Sequence, residues 1–302
     1  MKKTLKIGTR DSELALWQAK TVQEKLKAVG HDSVLVPVKS QGDLVLDKPL
    51  YEMGITGIFT KTLDVAMLQN KIDIAVHSMK DVPTQLPNGI VQTAVLERAT
   101  ATDIIATKDN PDFSKNCIIA TGSLRRKAQW LHKHPTHQVV DLRGNVNTRL
   151  QKLENNTWDG AIFAKAGLER INLLPKSYEI LDWMIPAPAQ GAMMVVALQN
   201  DLFAVEATKK LNDTNAEICT HIERQFLRTL EGGCTAPIGA IATIHGESIH
   251  FKGALFSLNG KEKIETEEQA TIGDYRNFGM ECANQVLQNG GSILMKAIKS
   301  EL

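Results

Sequence analysis

Apolar positions along the first hundred residues recur in two alternating periods. TLKIG reads as a short strand, and Asp11 or Ser12 stands where a helix cap is expected. Beyond it Leu14, Trp17, Val22, Leu26 and Val29 recur at helical spacing, and Gly30 ends the run. SVLVPV (33–38) reads as a second strand; Phe59, Leu63, Ala66 and Met67 predict another helix, and IDIAV (72–76) another strand. Such alternation predicts an α/β sheet with crossover helices. The pattern restarts near Asp103: DIIAT and CIIAT read as strands, and GSLRRKAQWLHK as a helix with Leu124, Ala128 and Leu131 on one face. QVVDL, a helix through Val146, Leu150 and Leu153, and the strand AIFA follow. IGTRDSELALWQAK and IATGSLRRKAQWLHK share one order of strand, small residue, Arg and helix, which suggests two similar lobes.

From about Thr214 the character changes. EICTHIERQFLRTLEGGC reads as a helix breaking at Gly232-Gly233. PIGAIATI, SIHFKGALF and KIETEEQATI then read as consecutive strands, with helices over roughly 274–289 and 292–300. Strands followed by helices predict a small α+β domain.

Composition narrows the class. The 302 residues are 43% apolar and 23% charged, ordinary for a globular protein. Cys117, Cys219, Cys234 and Cys282 form no CxxC pair, which argues against a disulfide scaffold or structural zinc and fits a reducing compartment. No metal is expected. Trp183–Asn200, the longest uncharged stretch, is interrupted by Pro186, Pro188, Gln190 and Gly191, so no membrane span is expected. MKKTLKIGTRDSE lacks the apolar run of a secretory signal, and a cytoplasmic protein is the expectation. Net charge is +1, yet between Thr121 and Arg149 six cations (Arg125, Arg126, Lys127, Lys133, Arg143, Arg149) face one acid, Asp141. Aromatic residues other than Trp130 are missing from that stretch, which argues against a nucleic-acid surface. His132, His134 and His137 read as an exposed helix end rather than a metal site.

Three constellations can carry chemistry. Arg10 with Ser12, and Ser123 with Arg125 and Arg126, stand where a strand feeds a helix N-terminus, whose unpaired N–H groups attract anions. Arg143 and Arg149 can join them, because strand carboxyl ends share one edge of a parallel sheet and should converge on one crevice. Each arginine alone also reads as ordinary surface. HSMKD puts His77, Lys80 and Asp81 on a loop after a strand, where a carboxylate can stabilise a cation or move a proton; a plain turn before Pro83 is the bland alternative. GGC leaves the Cys234 thiol on a tight, accessible turn, as nucleophile or covalent anchor, whereas a small buried residue is the ordinary reading of a lone cysteine. Cys117, Cys219 and Cys282 read as core residues.

Seven strings, in order, carry a family resemblance: GTRDSELALWQA, DIAVHSMKDVPT, SLRRKAQW, DLRGNVNTRL, AKAGLERI, PAPAQGA and LEGGCTAPIGA. Together they resemble the porphobilinogen deaminases, also called hydroxymethylbilane synthases, over about residues 4 to 300. The resemblance implies head-to-tail condensation of four porphobilinogens with loss of ammonia, then hydrolytic release of hydroxymethylbilane for uroporphyrinogen-III synthase to take up. It implies a dipyrromethane cofactor joined by a thioether to Cys234, and Asp81 as the catalytic aspartate, whose carboxylate stabilises a positively charged pyrrole and assists its deprotonation. Arg10, Arg125, Arg126, Arg143, Arg149 and Arg170 match the family's carboxylate-binding arginines, and Ser12, Lys80, Thr121 and Ser123 its smaller contacts. It further implies a monomer with two α/β lobes like those of periplasmic binding proteins and a small C-terminal α+β domain. The expected domains are 1–97 with 191–210, carrying the acid; 98–190, rich in arginine; and 211–302, bearing the cysteine loop. AMMVVAL near 192–198 is expected to rejoin the first. Departures from the family pattern are Thr56 for Lys, Gly122 for Ser, Ala189 for Gly, and LERATATD without the usual acidic and Pro residues. A non-catalytic, two-lobed anion-binding protein would share the arginines but need neither Asp81 nor a modified Cys234.

Overall fold

The computed structural model describes residues 3–38, 60–230 and 236–302. The described chain forms two compact units, one from residues 3–38, 60–99 and 191–217, the other from 100–190, 218–230 and 236–302.

The first unit is built on a five-stranded sheet of order β2-β1-β3-β10-β4, with β1 Leu5–Thr9, β2 Ser33–Pro37, β3 Ile74–Ser78, β4 Ile90–Val95 and β10 Met193–Leu198. β1, β2 and β3 are parallel, and the returning β10 runs antiparallel between β3 and β4. Helix α1 (Glu13–Ala28) buries Ala15, Gln18, Ala19, Val22 and Leu26, a stripe at helical spacing against β1 and β3. β3 lies two residues later than its apolar run suggests. Pairing of Ile74 with Ile7 and of Ser78 with Met193 sets its span, and His77 therefore stands inside the strand rather than on a loop. Helix α2 is Lys61–Leu68.

In the second unit a sheet of order β7-β6-β8-β5-β9 repeats the plan: three parallel strands, with β5 running antiparallel between β8 and β9. Its strands are β5 Asp103–Thr107, β6 Ile118–Ala120, β7 Gln138–Val140, β8 Gly160–Ala164 and β9 Tyr178–Leu181, with helices α3 Leu124–Lys133, α4 Val146–Asn155 and α5 Lys165–Glu169. The same unit holds the antiparallel meander β11-β12-β13 (Ile238–His245, Ser248–Phe256, Lys263–Thr271). Helices α7 (Thr214–Thr229), α8 (Tyr275–Val286) and α9 (Ser292–Glu301) cover it through Ile222, Phe226, Phe251, Phe278 and Cys282. Gly290, at φ +103, breaks the path between α8 and α9. Helix α6 is Leu202–Lys209, in the first unit.

The meander and the arginine-bearing sheet share one unit because buried groups tie them. Ala128, Ile185, Ala254 and Phe256 form one cluster. The fully buried Glu223 carboxylate accepts the Ala189 N–H at 2.6 Å and the Ala242 N–H at 2.8 Å. Ala189 holds φ +61, left-handed backbone that glycine adopts without strain, so the glycine that the resemblance leads one to expect there would fit this position.

Two expectations change. Leu131 is only half-buried, and the buried side of α3 is instead Arg125, Arg126, Ala128, Gln129 and Trp130. His137 is not at an exposed end: its Nδ1 accepts the Trp130 indole N–H at 3.2 Å, and its Nε2 donates to the Phe113 carbonyl, also at 3.2 Å. Cys117, Cys219 and Cys282 are buried, as expected of core residues, and burial pushes the Cys282 thiol up to about 12.

Candidate active site

In the first unit the carboxyl ends of β1 and β3 carry the expected acid and its neighbours. The Thr9 hydroxyl donates to the Ala15 carbonyl at 2.9 Å, drawing strand end and helix start together, and Ser12 caps α1 by accepting the Ala15 N–H at 3.4 Å. After β3 the chain makes one tight turn, Met79–Asp81, held by Met79 N–H to Ala192 O at 3.0 Å and Val82 N–H to Met79 O at 3.1 Å. The Met79 side chain is buried beneath it, which leaves Lys80 and Asp81 half-buried above. Arg10, Ser12, Gln18, Thr60, His77, Ser78 and Asp81 line a cavity of about 70 Å³. Burial, then the charge of Arg10, pushes the His77 imidazole down to about 4, so it is neutral near pH 7. Asp64, also buried, is raised by burial despite a hydrogen bond from Thr60.

Gln18 was not singled out by its sequence, although it is the one polar residue on the buried stripe of α1. Its amide donates to the Ser78 hydroxyl at 2.8 Å, holding the residue that opens the Asp81 turn. A polar side chain at a core-facing helical position is the signal that would have found it.

In the second unit Thr121 and Ser123 follow β6. Thr121 is buried and its hydroxyl accepts the Ser123 N–H at 3.3 Å, while Ser123 caps α3 through the Arg126 N–H at 3.4 Å. Arg125 and Arg126 are not the open anion receptors that their position suggests. Both are about 5% exposed and both close on Asp103, which is fully buried. Arg126 donates to Asp103 Oδ1 from Nε at 3.2 Å and from Nη2 at 2.8 Å, and to the Ile162 carbonyl at 3.0 Å. Arg125 Nη2 lies 2.8 Å from Asp103 Oδ2, and its Nη1 donates to the Ile185 carbonyl at 2.8 Å. Gln190 completes the group with an N–H to Asp103 Oδ1 at 2.9 Å. Two guanidinia against one carboxylate leave one positive charge in excess, and nothing in the apolar pattern marks Asp103 as their partner.

Arg143 follows β7, the strand beside β6, and is 8% exposed; its Nε and Nη1 are buried and, like Arg125 Nε, have no hydrogen-bond partner among the described residues. Burial lowers the Arg143 pKa. Arg149 Nε donates to the Gly144 carbonyl at 2.7 Å, and Arg170, just after α5, is pushed down to about 10 by burial. Gly122 lies against this edge: a Cβ there would stand 2.5 Å from the Leu142 carbonyl oxygen and 3.8 Å from Arg143 Cδ. Buried donors without partners and a surplus of positive charge fit a polycarboxylate such as a dipyrromethane bearing acetate and propionate arms. Cys234 and Thr56 lie outside the described residues. No group of three or more His, Cys, Asp or Glu suited to a metal occurs among the described residues.

Two family models match the chain: porphobilinogen deaminase, dipyrromethane cofactor binding domain, over residues 5–206, and porphobilinogen deaminase, C-terminal domain, over residues 217–288. A porphobilinogen deaminase of Chloroherpeton thalassium is 38% identical over 312 residues, covering 100% of this chain and 99% of that one. One from Campylobacter jejuni subsp. jejuni is 41% identical over 302 residues, covering 97% and 98%. Among solved structures, an arginine transport periplasmic binding protein from Legionella pneumophila aligns at TM-score 0.40 and 13% identity over 68% of this chain and 91% of that one, too distant a likeness to argue from. The full-length relatives and both family models show that this chain belongs to the porphobilinogen deaminase family.

Proposed function

We propose that Asp81 is the catalytic carboxylate of this chain, that Arg10, Ser12, Arg143, Arg149 and Arg170 take the carboxylates of the substrate, and that Cys234 carries the cofactor with Lys80, Thr121, Ser123, Arg125 and Arg126 around it. The family's activity is a transferase reaction of tetrapyrrole synthesis, deaminating porphobilinogen and joining it through a dipyrromethane cofactor. One observation supports the residue roles most directly: Asp81, Arg10 and Ser12 line one cavity above a neutral, buried imidazole.

Loss of ammonia from the substrate's aminomethyl arm leaves positive charge on the pyrrole nitrogen. The Asp81 carboxylate stabilises that charge, accepts the pyrrole N–H, and assists deprotonation. Neutral His77 beneath adds no cation to oppose it, while Arg10 offers a guanidinium fork to a substrate carboxylate. When bound, the dipyrromethane supplies the pyrrole carbon onto which the first substrate is joined. The surplus charge of the Arg125–Arg126–Asp103 group would favour its acid arms, and Arg143, with two buried donors that have no hydrogen-bond partner among the described residues, would take a substrate carboxylate. In this reading residues 1–97 with 191–210 carry the acid, 98–190 the arginines and 211–302 the cysteine. In this reading the chain works as a cytoplasmic monomer whose product passes to uroporphyrinogen-III synthase. No described helix is long and apolar enough to cross a membrane.

Intact mass of the purified protein beside a Cys234→Ser variant tests the attachment. Added mass equal to two linked pyrroles, dependent on Cys234, is expected, after incubation with porphobilinogen if the isolated protein is unmodified. An adduct that survives Cys234→Ser would move the cofactor to another residue.

A further inference from the structure

A second cavity, of about 250 Å³, opens in the second unit where α3 meets β12 and β13. None of the residues assigned above lines it. Its apolar walls come from Trp183, Ile185 and Phe256, and its polar edge from His132, Lys133, Lys252 and Lys263. The Lys133 ammonium stands 4.3 Å from the Trp183 ring centroid and makes no ion pair among the described residues. His132 Nδ1 is 2.7 Å from the Gly260 carbonyl, which can only accept, so Nδ1 carries a proton and the ring is held at the cavity edge. Lys252 and Lys263 pair with Glu267 and Glu265, carboxylates that are 73% and 47% exposed. Exposed pairs of this kind contribute little and yield readily to a competing anion.

Three ammonium groups around two aromatic rings select a ligand with both a flat face and more than one negative charge. The volume falls below the usual range of about 300–1,000 Å³ for small-molecule pockets, which limits the ligand to about one ring. We infer that this cavity binds a small single-ring aromatic dianion, recognised by Lys133, Lys252 and Lys263 at its charges and by Trp183 and Phe256 at its ring. Carboxylate and phosphate satisfy the same ammonium groups, so the chemistry they share is the assignment.

The probes are 1,2-phenylenediacetate, phenyl phosphate and, as the ring control, cyclohexane-1,2-diacetate, titrated into the whole protein labelled with ¹⁵N at its four tryptophans. Trp183→Phe assigns the Trp183 indole signal while keeping an aromatic wall. Saturable movement of that signal is expected with an aromatic probe, at a Kd of about 1 mM or tighter. The Lys133→Gln, Lys252→Gln, Lys263→Gln triple variant, whose lysines are solvent-reaching and whose fold circular dichroism checks, should weaken binding roughly tenfold. Tighter binding of the diacetate assigns carboxylate and tighter binding of phenyl phosphate assigns phosphate; either upholds the site. A Trp183 signal that neither aromatic probe moves, an affinity unchanged in the triple variant, or equal binding of the cyclohexane control would overturn it.

Discussion

Asp103→Asn removes one oxygen's charge from the centre of the second unit and nothing from its shape. The native carboxylate is fully buried: its Oδ1 accepts Arg126 twice and Gln190 once, within 3.2 Å, and its Oδ2 forms an ion pair with Arg125 Nη2 at 2.8 Å. The amide keeps one acceptor oxygen for Arg126 and Gln190 but turns an NH₂ toward the Arg125 Nη2 that was 2.8 Å away. Two buried guanidinia then face each other without an anion. Removing one partner of a buried charge group costs about 3–5 kcal/mol, a large part of a typical total stability of about 5–15 kcal/mol. For domains of this size that is a fall in Tm of roughly 6–20 °C, at about 2–4 °C per kcal/mol. Urea and thermal unfolding followed by circular dichroism measure it. Adding Arg126→Met to Asp103→Asn should restore part of the loss, because only one unpaired cation then remains. A loss below about 1 kcal/mol, or no recovery in the double variant, would refute the idea that Asp103 holds the two arginines in place.

Three further outcomes are expected. Asp81→Asn should lower kcat at least about a hundredfold with little change in Tm, since the side chain is half-exposed; retained turnover would take Asp81 out of the mechanism. His77 titrates near 4 in the fold against 6.5 in the unfolded chain, so the unfolded state binds the extra proton between those values. Stability is therefore whole above about pH 6.5 and falls as pH drops toward 4, by roughly 3 kcal/mol over the window. His77→Gln should flatten that part of the stability–pH curve, and coincident curves for the two proteins would contradict the buried, neutral imidazole. Gly122→Ser, which restores the family's commoner residue, should cost about 1–3 kcal/mol because its Cβ meets the Leu142 carbonyl at 2.5 Å; an unchanged unfolding midpoint would show that the β6 and β7 ends yield freely.

Much of the molecule was legible because local chemistry writes it. The period of Ala15, Ala19, Val22 and Leu26 defines α1, Ser12 and Ser123 stand at real caps, and alternation of strand and helix foretells two α/β lobes. Seven strings in order carry the family, since a site's chemistry needs particular residue types at particular places. Tertiary structure decided what those residues do. Arg125 and Arg126 read as open receptors, yet both are buried against Asp103, 22 and 23 residues away in sequence, and against the carbonyls of Ile185 and Ile162. The buried face of α3 is polar, so apolar periodicity placed Leu131 where Gln129 and Trp130 belong. His77 and Gln18 lie beneath Asp81 because β3 slid two residues to pair with β1 and β10, a register that no window around HSMKD contains. Hydrophobic periods and caps act within a few residues, whereas buried charges are balanced by partners that only the assembled sheet brings within reach.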